Sequence, residues 1–127
     1  MEPLIHLDTH VVAILYSGEL KGVSKKVIDI LNYQPLCISE IVRLELQYLF
    51  EIKIISQKPD EIISILQKDF ALVSSTNSQS EIISQAINLD FTRDPFDRII
   101  VADAMLNDSI LITKDQTILD FYDKALW

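Results

Sequence analysis

The stretch "PFDRIIVADAMLNDSILITKD", residues 95–115, decides how the rest of the chain is read. Its first part has the length and apolar content of a buried helix over 95–107. Its second part, 110–113, is a short apolar run of strand length bounded by polar residues. Asp94 just ahead is a good N-cap and Pro95 suits the first helical position, so the helix start is marked and Asp97 falls at N3. Working outward, apolar runs of strand length recur at 4–7, 36–38 and 70–73, separated by helical spacing at roughly 11–17, 24–32, 40–55, 60–67 and 80–87. Strands that alternate with helices imply a parallel sheet covered on both faces. The expected fold class is α/β, a three-layer α/β/α sandwich around a central parallel sheet of four to five strands.

At 127 residues, with 49% hydrophobic and 24% charged side chains, the chain is the size of one domain, 1–127. No run approaches the roughly 18 uncharged apolar residues of a membrane span. The start "MEPLIHLDTH" lacks the basic region and cleavage site of a signal peptide, so the expectation is a cytoplasmic protein with no membrane partner. The single cysteine, Cys37, lies in the apolar run "PLCIS" and reads as a small buried residue. A net charge of −8 argues against broad electrostatic attraction to nucleic acid, so nucleic-acid chemistry would have to be locally organised. With glycine only at positions 18 and 22, a glycine-rich phosphate loop is excluded. The polar "SSTNSQS" at 74–80 reads as a loop inside the domain.

The acids carry the chemistry. Asp8 directly follows the run "LIHL", and Asp115 follows "ILIT" with Lys114 between. In open α/β sheets ligands bind beyond the carboxyl ends of the strands, where both acids fall. The helix over 95–107 runs back toward the start of the next strand, which sets Asp97 on the same rim. In "SEIVRLELQYLFEIKI" the polar residues Glu40, Arg43, Gln47 and Glu51 form one solvated stripe. Glu45 lies about 200° from it at about 100° per residue. It belongs with Ile41, Leu44, Tyr48, Leu49 and Ile52, the expected core face. A carboxylate pointing inward should be paired, protonated or on a metal, and its tilt toward the helix N-terminus leans it to the same rim. Repulsion among Asp8, Glu45, Asp97 and Asp115 would raise their pKa values unless a cation neutralised them. Hard oxygen donors without a Cys or His cluster favour Mg²⁺ or Mn²⁺ over Zn²⁺.

Taken in order, "LDTH", "ISEIVRLEL", "RDPFDRIIVADA" and "LITKD" resemble the PIN-domain nucleases, and within them the small single-domain kind that includes the VapC-type toxins of bacterial toxin–antitoxin pairs. The resemblance spans residues 4 to about 119. It implies a PIN-like fold and metal-dependent endonucleolytic cleavage of RNA, with Mg²⁺ or Mn²⁺ as cofactor. Asp8, Glu45, Asp97 and Asp115 would be the catalytic, metal-holding acids, and Thr113 the hydroxyl that supports the last acid or its water. Asp103 departs from the pattern, standing where relatives more often carry a neutral residue. It is about 240° around the helix from Asp97 and reads as a flank or salt-bridge residue. Arg98 first, then Arg93 and Lys114, are the expected phosphate contacts, with Arg43 nearer the surface. So small a basic set suits single-stranded RNA held at a few points. The partners implied are RNA and an antitoxin protein, with room for a homodimer.

Bland readings stand beside these. Asp94 reads as a cap rather than a ligand, Asp8 and Asp115 are also good caps for "THVVAIL" and "QTILDFY", and Asp97 is favoured by the helix dipole. Glu45 could pair with Arg98. His6 and His10 read as structural. Val42, Leu46, Phe50 and Ile54 add more apolar surface to the 40–55 helix than one core face needs, leaving a face for a dimer or an antitoxin. Two other functions remain: a catalytically silent PIN-like interaction module, and a receiver-like phosphoacceptor domain. The latter is disfavoured because "LDTH" offers one acid and "FALVSSTN" none.

Overall fold

Five short parallel strands form the centre of the fold. In the computed structural model, which describes residues 4–127, they are β1 (Ile5–Leu7), β2 (Leu36–Ile38), β3 (Val73–Ser74), β4 (Leu111–Ile112) and β5 (Ala125–Leu126), in the order β3-β2-β1-β4-β5. The expectations about the start of the chain and about one domain over 1–127 include residues 1–3, which lie outside the described residues. Between the strands run α1 (Thr9–Ser17), α2 (Lys25–Tyr33), α3 (Ile41–Glu51), α4 (Pro59–Phe70), α5 (Gln79–Ile87), α6 (Pro95–Leu106) and α7 (Gln116–Phe121). The result is the expected α/β architecture with a five-stranded parallel sheet. Helices α1, α3 and α4 pack together, as do α5 and α6.

Strands β1, β2 and β4 are buried along their whole length, as a sheet covered on both faces demands, whereas Val73 on edge strand β3 is exposed. Pairing sets His6 beside Cys37 on one side and Leu111 on the other, and Leu7 beside Ile112. The chain steps from β1 to β2 to β3 in one direction, then crosses back to lay β4 against the free side of β1. The order therefore reverses between β1 and β4, where an α/β sheet opens a crevice at its carboxyl edge.

Several boundaries differ from the sequence reading. Helix α4 runs through Phe70 and closes on Ala71 at φ 54°, so the strand expected at 70–73 begins only at Val73. The helix expected over 40–55 stops at Glu51, where Lys53 turns the chain at φ 64°. Strand β5, absent from the sequence reading, pairs with β4, so 110–113 is not the last strand. The faces of α3 are also reassigned. Val42, Leu46 and Leu49 are buried, while Leu44, Tyr48 and Ile52 are 57%, 50% and 47% exposed. Apolar residues cover so much of this helix's circumference that periodicity alone did not say which part meets the sheet. Cys37 is buried as expected, its thiol pushed up to about 12 by burial, then by Asp103.

The α3 assignment is checked by urea denaturation of two variants. Leu46→Ala should cost about 2–5 kcal/mol, as removal of a buried leucine does, whereas Leu44→Ala should change stability by no more than ~0.5 kcal/mol.

Candidate functional site

Asp8 leaves β1 and becomes the N-cap of α1, with Oδ1 accepting from the Thr9 amide at 2.7 Å. Its Oδ2 accepts from the Thr113 hydroxyl at 2.6 Å. Thr113 follows β4, so this bond crosses between the two strands at which the sheet order reverses. The same hydroxyl oxygen accepts from the amide of Asp115 at 3.0 Å. Thr113, expected to support the last acid or its water, meets Asp115 through that backbone amide and gives its proton to the first acid, because β4 is the neighbour of β1. Asp8 is 3% exposed, and burial holds its carboxyl above the usual carboxylate range, against the lowering effect of the Thr113 and Thr9 hydrogen bonds.

Two further acids cap helices on this rim. Asp115 Oδ1 accepts from the amides of Thr117 and Ile118 at the start of α7, and Asp94 Oδ1 from those of Phe96 and Asp97 at the start of α6. Capping and a role in the site had looked like alternatives for Asp115. They are compatible, because each cap uses one oxygen, and Oδ2 of both residues has no hydrogen-bond partner among the described residues. Capping also answers α-helix amides that would otherwise be unpaired at the same edge.

Glu45 is half-buried on α3 and accepts a short hydrogen bond from the hydroxyl of Thr9. Burial first, then the charges of Asp8 and Asp94, push its carboxyl up. Thr9, fully buried, thus joins the strand carrying Asp8 to the helix carrying Glu45. Sequence reading passed over it, since a threonine in a first helical turn carries no distinguishing signal. Asp97 sits in the first turn of α6 with no side-chain hydrogen bond and no cation paired to it among the described residues. Its carboxyl is pushed up to about 7, by burial first and then by Asp94, Asp8, Asp115 and Glu45 in turn. The charge of His10, exposed beside the rim, acts in the opposite sense on Asp8 and Glu45.

Asp8, Glu45, Asp97 and Asp115 therefore lie in one electrostatic neighbourhood, and Asp94 belongs with them. They do not form a preassembled chelate: among the described residues no three His, Cys, Asp or Glu side chains are grouped to hold a metal ion. The donor set is all oxygen, and Asp97 is an unpartnered carboxylate in a field of others, which suits a hard divalent cation.

The expected cations lie elsewhere or are uncommitted. Arg98 directs its guanidinium to the carbonyls of Ala86 and Ile87 at the end of α5, at 3.1–3.3 Å, and forms no pair with Glu45. Arg43 reaches Glu40 and Asp60 on the surface. Arg93 and Lys114 are exposed and in no ion pair among the described residues. Asp103, read as a flank or salt-bridge residue, is fully buried and in no ion pair among the described residues, because α6 is covered on more than one side and the 74–80 loop folds over it.

The family described as PIN domain matches residues 5–124. Among solved structures, the chain is similar to VapBC2 from Rickettsia felis bound to a promoter DNA fragment, at 14% identity and a TM-score of 0.67, covering 98% of this chain and 97% of that one. It is similar to a toxin–antitoxin complex from Klebsiella pneumoniae at 18% identity and a TM-score of 0.65, with coverage of 97% and 96%. VapBC-1 from nontypeable Haemophilus influenzae matches at 19% and 0.63, again covering 97% and 96%. At these identities the likeness is one of fold. No curated protein matches the chain.

Because Asp97 holds its proton to about pH 7 when folded and to about pH 4 when unfolded, the folded state binds more protons between those values. Stability must then fall as pH rises through that window, and the raised Asp8 and Glu45 act in the same sense. Melting temperatures measured in EDTA should decline from about pH 4 to about pH 7. Asp97→Asn should flatten the decline.

Proposed function

The chain belongs to the PIN-domain family, and from that premise we propose that it is a metal-dependent endoribonuclease cleaving single-stranded RNA, and the VapC-type toxin of a toxin–antitoxin pair. The observation that carries the reading is Asp97: a carboxylate raised to about 7 by the acids around it is a liability to the fold unless a cation answers it. Asp8 and Asp97 would be direct ligands of Mg²⁺ or Mn²⁺, with Glu45 and Asp115 holding it through water or orienting the nucleophile. A divalent ion bound there supplies an acidified water and a counter-charge for the leaving oxygen of a phosphodiester.

The chain's own residues do the rest. Thr113 holds Asp8 in one rotamer by donating to Oδ2 while the Thr9 amide holds Oδ1, so neither oxygen is free to swing. The Thr9 hydroxyl does the same for Glu45. Asp115 has one oxygen committed to α7 and can turn only the other to the rim. Arg93 and Lys114, exposed and in no ion pair among the described residues, would meet phosphates of the substrate, whereas Arg98 is occupied by α5. With a net charge of −8 the whole molecule repels a polyanion at long range. Binding then depends on these few contacts and favours a flexible single strand over a duplex.

The partner follows from the same family reading. An antitoxin would cover the half-exposed Leu44 and Tyr48 on α3, with Ile52 and Ile54 just beyond it, a row too apolar for a purely solvated face. The competing interaction-module reading draws on the lack of a preassembled trio of ligands.

One assay separates the two: cleavage of a mixed single-stranded RNA by the purified, partner-free protein, in Mg²⁺ or Mn²⁺ against EDTA. Cutting should require the metal, and Asp8→Asn and Asp97→Asn should each lower it by about two orders of magnitude or more, the scale on which removing a group that stabilises transition-state charge acts. Heat stability gives a second check. Metal at 100 times its Kd should add about 2.7 kcal/mol to unfolding, and no gain with no cutting would leave the interaction module.

A further inference from the structure

Behind the rim lies a polar cluster, running from His6 and Asp103 in the core to Asn107 at the surface, that the proposed chemistry does not use. Asp103 on α6 is completely buried; its Oδ1 accepts from Ser75 Oγ at 2.7 Å and from Asn77 Nδ2 at 2.8 Å. The Asn77 amide also donates to Asn107 Oδ1 at 3.0 Å, and Asn107 Nδ2 lies 2.8 Å from Nε2 of His6, itself 1% exposed in the middle of β1. Since that amide nitrogen can only donate, Nε2 of His6 accepts and its proton sits on Nδ1. Nδ1 of His6 and Oδ2 of Asp103 are both buried with no hydrogen-bond partner among the described residues.

As a source of stability this cluster is poorly made. Two buried polar atoms go unsatisfied among the described residues, which costs free energy, and apolar residues of similar volume in place of a buried polar pair are often neutral or stabilising. Its distinctive property is direction. Apolar contact leaves a helix free to slide or turn on a sheet because burial does not depend on orientation, whereas hydrogen bonds weaken steeply off their axis. The tie runs between two elements that carry acids. His6 precedes Asp8 by two residues on β1, and Asp103 follows Asp97 by six on α6, about 9 Å along the helix axis at 1.5 Å per residue. Wherever α6 settles along β1, Asp97 settles against Asp8.

We propose that His6, Asp103, Asn77 and Asn107 form a positioning element that fixes the register of α6 on β1 and so sets Asp97 against Asp8. The inference rests on the reading of the rim as a metal-dependent site. None of the four touches substrate or metal; they act through the placement of Asp97. Stability is given up for geometry, and the two unpartnered atoms are the sign of it.

The test compares the full chain with Asp103→Asn, which keeps the acceptor for Ser75 and Asn77, and with a variant carrying both His6→Leu and Asp103→Leu. Each is made with and without Asp97→Asn. Mn²⁺ binding is read by calorimetry, melting by circular dichroism, and the amides of residues 97–100 by ¹H–¹⁵N NMR in EDTA. The apolar variant should melt near the wild type yet bind Mn²⁺ about 10-fold or more weakly, as loss of an outer support of a metal ligand does. Adding Asp97→Asn to it should cause no further loss, while Asp103→Asn should restore binding. Wild-type Mn²⁺ affinity in the apolar variant would overturn the inference, as would failure of that variant to fold, which would make the cluster a stabilising one. If the wild type itself binds no Mn²⁺, the nuclease reading falls, and the NMR spectrum still decides the positioning role. Displaced amides at 97–100 in the apolar variant, but not in Asp103→Asn, would uphold it; unmoved amides would overturn it.

Discussion

The hydrogen bond from the Thr113 hydroxyl to Asp8 spans the one gap in the sheet where neighbouring strands are far apart in the chain and the strand order reverses. Everything at the rim is arranged around it. A parallel sheet sends all its carboxyl ends to one edge, and the reversal between β1 and β4 keeps their following helices from covering that edge. Helices α1 and α7 start there, capped by Asp8 and Asp115, and α6 begins on the same rim under Asp94. Three helix N-termini with their partial positive charge face a cluster of carboxylates, which lowers the cost of gathering so much negative charge.

That cost is not cancelled. Asp8, Glu45 and Asp97 all hold their protons more tightly than free carboxylates do, and burial leads the causes in each case. The caps and the two threonines fix orientation without neutralising charge, since a hydroxyl or an amide brings no full positive charge. Arg98, which adjoins Asp97 in sequence, turns to α5. The arrangement is a set of oriented, uncompensated oxygens, consistent with a site completed by something from outside.

Elsewhere the molecule shows the opposite economy. The core of Leu7, Ile38, Leu46, Ile100, Leu111 and Ile112 is apolar and fully buried, and fold is retained against solved structures at 14–19% identity because such packing tolerates many sequences with the right volume and pattern. The His6–Asn107–Asn77–Asp103 chain, buried at His6 and Asp103 and open to solvent at Asn107, interrupts that core between β1 and α6. Directional bonds there act on geometry at a distance from the acids, and packing alone would not.

By itself the sequence determined the α/β class, the parallel sheet, the marked start of α6 and the four acids. Each of these is a local signal: periodicity, a cap followed by proline, or an acid just past an apolar run. Non-local facts were decided only in the tertiary structure. Strand β5 is two residues long and gains its pattern from pairing with β4. The buried face of α3 could not be told from its apolar surroundings until the sheet selected Val42, Leu46 and Leu49. Thr113 and Thr9 found partners 105 and 36 residues away, and Asp103 was enclosed by a loop 26–28 residues upstream. Spacing along a helix says which side chains share a face, but what that face meets depends on the order in which the strands are laid down.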